Sequence, residues 1–165
     1  MADLWRRRWC LATGLLVPAL ALGSPRWLQL DAVAPAWSVL WLLPWALADG
    51  PFSGTFVGAA LGLLLDGLHP GPVSQLPALA LLGWWWGRLG RRDVVLQRSA
   101  SLALLALAGS LLLGGSLLLQ MVVAGIWPAS AWQTLWAQTL ITGLLAPPVC
   151  SLWLLLWRQQ LPGVR

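Results

Sequence analysis

The chain has 165 residues, 59% of them hydrophobic and 9% charged, with a formal net charge of +5. Soluble domains carry about 25% charged residues, and a core of this size could not hide so much apolar surface. A soluble globular protein is therefore excluded, and lipid is the expected solvent. The basic residues are all arginine and sit in short clusters beside apolar runs. That is the positive-inside pattern of a membrane protein, not a phosphate-tracking stripe, so no nucleic-acid partner is expected.

Six apolar segments follow in chain order, at residues 9–23, 33–48, 52–68, 73–86, 101–126 and 134–157. They predict an all-α integral membrane protein, one polytopic domain over residues 1–165 built as a bundle of about six transmembrane helices. Arg6, Arg7 and Arg8 precede the first segment and hold that end in the cytoplasm. Residues 1–24 also have the layout of a signal peptide, with a basic start, an apolar stretch and small residues at Ala19 and Ala21. Cleavage there would leave the remaining topology unchanged. Cys10 and Cys150 have no metal or redox spacing and read as free, inert thiols. After the first segment comes Arg26, the one arginine assigned to the outside.

In the second segment Trp37, Trp41 and Trp45 recur every four residues and form a stripe down one helix face. It is read as a lipid or packing surface, with a partner-helix contact as the alternative. Asp49-Gly50-Pro51 then makes a tight turn. Asp49 is either solvated there or paired with the later arginine loop.

The third segment carries the most specific local signal, with Gly54, Gly58, Gly62 and Asp66 each four residues apart. On a helix they share one narrow face. Glycine lets a second backbone approach closely, and close packing drives helix association where there is no water to expel. Two uses stay open for this face, packing within the chain and contact with a second protein. Asp66 falls at the C-terminal end of its helix, where the dipole disfavours an anion. It therefore needs a partner. Arg26, His69 and the backbone amides of the His69-Pro70-Gly71-Pro72 turn are the candidates.

Segments two to four are short for a bilayer core of about 30 Å, whereas the last two are long enough. Arg88, Arg91, Arg92 and Arg98 follow the fourth segment, and Arg158 and Arg165 follow the sixth. An even number of crossings returns both groups to the cytoplasm, giving an N-in/C-in topology. With Arg6, Arg7 and Arg8, the four-arginine loop forms a basic patch facing anionic lipid or a cytoplasmic protein. Trp5, Trp9, Trp84, Trp85, Trp86, Trp153 and Trp157 flank the inner segment ends, and Trp27, Trp127, Trp132 and Trp136 the outer ones, as interfacial belts do. Gly109, Gly114 and Gly115 loosen segment five, Pro147-Pro148 should kink segment six, and Gln120 and Gln138 are available for interhelical hydrogen bonds.

The chain has one His, no Lys and no Glu, so no nucleophile–base pair stands at useful spacing. Gly109-Ser110 and Gly115-Ser116 lack the later His an intramembrane serine protease would need. No enzyme activity, cofactor or metal is expected, and no stretch is long enough for a soluble enzyme domain.

The run Leu43-Pro44-Trp45-Ala46-Leu47-Ala48-Asp49-Gly50-Pro51, followed by the glycine-spaced helix ending Gly62-Leu63-Leu64-Leu65-Asp66-Gly67-Leu68, resembles the rod shape-determining protein MreD family. The likeness covers the whole chain in layout, and in residues it concentrates between about Leu43 and Arg92. The resemblance implies a fold similar to the substrate-binding subunits of energy-coupling-factor vitamin transporters. It also implies a non-enzymatic component of the elongation machinery in the bacterial inner membrane. Such a protein binds MreC and, through it, MreB and the peptidoglycan synthases. Gly54, Gly58, Gly62 and Asp66 carry over as structural or partner-contact residues. The chain departs from the family in the His69-Pro70-Gly71-Pro72-Val73-Ser74-Gln75 turn and in its 14 tryptophans. The alternative is a substrate-binding subunit of such a transporter, for which the polar outer groups Arg26, Gln29, Asp31, Asp66, His69, Ser74, Gln75 and Gln133 are sparse.

Overall fold

The computed structural model describes residues 12–14, 16–23, 33–68, 71–90, 99–126 and 130–159. Its helices are α1 (Leu16–Leu22), α2 (Trp37–Asp49), α3 (Pro51–Leu68), α4 (Leu76–Leu89), α5 (Ser99–Val123) and α6 (Ala131–Gln159). No β-strand occurs among the described residues. Among the described residues, three helices are long and apolar enough to cross a membrane: α3 over its full length, α5 over Ala100–Val123 and α6 over Ala131–Leu156. The chain is a helical membrane protein.

Element boundaries differ from the apolar segments where backbone chemistry overrides hydropathy. α3 reaches 18 residues because Pro51 opens it; proline's fixed φ suits a first helical position, where its missing N–H goes unused. α2 starts at Trp37, not at residue 33, because the helical conformation is disfavoured just before Pro35. α4 starts at Leu76 and carries Pro77 in its first turn, leaving residues 71–75 as an irregular turn. α6 runs as one helix through Pro147 and Pro148.

α3 and α4 form one antiparallel hairpin and α5 and α6 another, and α2 touches every other helix. With 13 residues α2 extends only about 20 Å, too short to span a hydrocarbon core alone. All ten residues from Ser38 to Leu47 are buried. A helix apolar on all sides belongs in the centre of a bundle, where neighbours cover its ends. Trp41 and Trp45 stack in this core with ring centroids 5.5 Å apart. Trp41 donates Nε1 to Thr13 Oγ1 at 3.0 Å, and Trp45 donates Nε1 to Ser53 Oγ at 3.1 Å. The tryptophan stripe thus packs internally.

Two glycines shape the connections. Gly50, at φ +96°, is the sole residue between α2 and α3. Gly125, at φ +74°, ends α5 with its N–H on the Val122 carbonyl and the Ile126 N–H on the Met121 carbonyl. That double bond pattern is the Schellman C-cap, which favours glycine in the left-handed region.

Candidate functional site

The glycine face of α3 is closed by α4. A Cβ at Gly54 would meet the carbonyl of Gly83, one at Gly58 the carbonyl of Leu79, and one at Gly62 the Cα of Leu76. From α4, a Cβ at Gly83 would meet the Gly54 carbonyl and one at Gly87 the Cα of Pro51. The contacts step one turn at a time along two antiparallel backbones. A second protein therefore finds this ridge already covered. The opposite face of α3 is open, with Phe52 78% and Phe56 77% exposed and Leu63 beside them in register.

At the end of this seam Asp66 accepts a hydrogen bond from Ser74 Oγ at 2.6 Å and another from the Gln75 N–H at 2.8 Å. Gln75 is the N-cap of α4. The carboxylate thus lies at the positive end of the α4 dipole, which offsets its unfavourable place at the C-terminus of α3. Gln120 of α5 grips the same turn from the other side. Its Oε1 accepts from the Ser74 N–H at 2.7 Å, and its Nε2 donates to the Ser74 carbonyl at 2.9 Å. Three helices therefore meet at one serine. Arg26 and His69, the side chains offered for Asp66 by sequence, lie outside the described residues. Ser74 and Gln75 were missed because donors eight and nine residues away carry no local signal.

Near this end a cavity of about 340 Å³ lies over the N-terminus of α2. Ser38, Gln75, Thr134 and Gln138 supply its polar lining, and Val17, Leu65, Leu113 and Leu117 are among its apolar walls. The entry segment at residues 33–36 is non-helical, which an apolar solvent tolerates only if its polar groups are covered. Thr142 of α6, fully buried, meets this need: its Oγ1 accepts from the Ala36 N–H at 3.0 Å and donates to the Gln138 carbonyl at 2.6 Å. Among the described residues no side chain caps α2.

Arg88 lies over the Trp84 ring at 4.6 Å from its centroid, a cation–π contact at the end of α4. Arg6, Arg7, Arg8, Arg91, Arg92 and Arg98, the rest of the expected basic patch, lie outside the described residues, as does Cys10. Cys150 is buried with Sγ 3.6 Å from the Leu40 carbonyl. The expected tryptophan belt divides. Trp84, Trp132 and Trp136 are exposed, but Trp86 is fully buried with its Nε1 unpartnered, its ring filling the space left by Gly109. Gly114 and Gly143 similarly make room for Leu135 and Leu107. The Ser110 hydroxyl donates to the carbonyls of Ala106 and Leu107. Compared with protein-family models, curated proteins and solved structures, the chain finds no match.

Proposed function

We propose that the protein is a non-enzymatic scaffold of the bacterial cell-elongation complex, set in the inner membrane with both termini in the cytoplasm. It would bind MreC and so connect lateral peptidoglycan synthesis to MreB. One observation carries this reading: the stretch in which the MreD resemblance concentrates is also the most tightly built part of the fold. Gly54, Gly58 and Gly62 bring α3 against α4, and Asp66 closes the hairpin on Ser74 and Gln75. A stiff hairpin suits a part whose task is to hold another protein in register. With the glycines turned inward, the partner's membrane helix would lie on the opposite face, along Phe52, Phe56 and Leu63. Depletion in a rod-shaped host should round the cells and disperse MreC from the lateral wall. Unchanged rods with MreC still recruited would remove this reading.

The carrier alternative draws on a different feature, the cavity over α2. It requires uptake of a solute that depends on this chain and on an energising partner, and a strain without that phenotype would set it aside.

A further inference from the structure

We propose that the cavity over the N-terminus of α2 is a binding site for a neutral, single-headed amphiphile bearing a carbonyl or hydroxyl oxygen. The site goes beyond the scaffold role and does not depend on it.

The polar end of the cavity is built by Ser38. This residue is only 5% exposed and lines the cavity, yet its hydroxyl has no hydrogen-bond partner among the described residues. Its amide belongs to the first turn of α2, where a helix leaves N–H groups without intrahelical acceptors. Donor N–H, donor hydroxyl and the positive end of the helix dipole thus converge, and what they ask for is an acceptor oxygen. Two more neutral groups stand at the rim. The side-chain amides of Gln75 and Gln138 both line the cavity, and neither has a partner among the described residues. Each can donate and accept, which suits a hydroxyl or an amide beside the acceptor.

The remaining walls decide the rest of the ligand. Leu65, Leu113 and Leu117 present an apolar surface, and no charged side chain lines the cavity among the described residues. An anion would meet no counter-charge in a site of low polarity, where an unpaired charge is penalised heavily. A neutral head is favoured over a carboxylate or phosphate for that reason. At about 340 Å³ the space falls within the roughly 300–1,000 Å³ of small-molecule sites.

The test uses the full-length protein in lipid nanodiscs, exposed in turn to 1-octanoylglycerol, octanoate and glycerol, with retained molecules counted by native mass spectrometry. One 1-octanoylglycerol per chain is expected. Ser38→Ala, a loss of one oxygen, should weaken retention about tenfold (~1.4 kcal/mol), and Leu113→Trp, which fills the cavity, should abolish it. Leu104→Trp, on the exposed face of α5 and away from the cavity, should leave retention unchanged. Should Leu113→Trp fail to give monodisperse protein, Gln138→Leu takes its place with a several-fold loss expected. Equal or stronger retention of octanoate would make this an anion site and overturn the proposal. Equal retention of glycerol would make it a water-borne polyol site and overturn it also. Retention indifferent to both Ser38→Ala and the cavity variant would mean surface lipid only.

Discussion

Gly54 and Gly83 stand backbone to backbone across the α3–α4 seam, so that a methyl on either would run into the other's carbonyl. Overpacking usually costs about 1–3 kcal/mol because side chains can move aside, but here the obstacle is main chain. Gly54→Ala and Gly83→Ala are each expected to destabilise the protein by at least ~1–3 kcal/mol. Gly67→Ala and Gly115→Ala, where nothing lies within 4 Å of the added carbon, should be neutral or slightly stabilising, since alanine is the better helix former. Thermal unfolding of the four variants in detergent separates the classes. Equal melting temperatures would show that the seam is looser than described.

Asp66 and Gln120 hold Ser74 from opposite sides, and their loss should not be additive. Asp66→Ala strands the Ser74 hydroxyl and the Gln75 N–H, each worth roughly 1–3 kcal/mol when left unsatisfied, with the lower end expected because the site is only partly buried. Asp66→Asn keeps an acceptor for Gln75 and a donor for the serine oxygen, so it should be mild. Gln120→Ala removes two interhelical bonds, about 0.6 kcal/mol each. The double variant should differ from the sum of the singles by ~0.5 kcal/mol or more. Strict additivity in unfolding measurements would show that the two side chains act independently.

Thr142 is the acceptor for the last amide before α2. Thr142→Val preserves the shape and deletes the oxygen, leaving the Ala36 N–H unpaired at a cost of ~1–3 kcal/mol. Thr142→Ser keeps the oxygen and should retain most of the stability. Hydrogen exchange at Ala36 provides the local readout, with faster exchange expected in the valine variant alone.

Gly50 and Gly90 lie at one end of the bundle, where Gly90 abuts the Leu47 carbonyl, and Ser74 and Gln120 meet at the other. The proposed orientation puts the first pair in the cytoplasm. Reporter fusions ending at Gly50 and Gly90 should be active only as cytoplasmic forms, and one ending at Ala124 only as a periplasmic form. A periplasmic signal at Gly90 would reverse the topology, and the scaffold reading with it.

The hairpin seam was partly legible from spacing. Glycines four apart mark a close helix contact in an apolar solvent, but spacing left open whether the contact lay within the chain or with a second protein, and the packing of α4 decided it. Asp66 announced its need through its place at a helix end, and among the described residues its partners are Ser74 and the N-terminus of another helix. The stripe of Trp37, Trp41 and Trp45 and the burial of Trp86 were harder to place. On a helix wheel, tryptophan against lipid and tryptophan in a core look the same.

Residue composition by itself fixed the solvent, the helical class and the positions of the apolar runs, because these follow from local hydropathy and from glycine and proline chemistry. Tertiary structure alone decided that α2 is the central helix, that Thr142 supports its entry segment, and that Ser38 faces a cavity. The reason is physical. In water an apolar stripe marks the buried side of a helix, but lipid is as apolar as a leucine core, so inside and outside carry the same pattern until the helices pack.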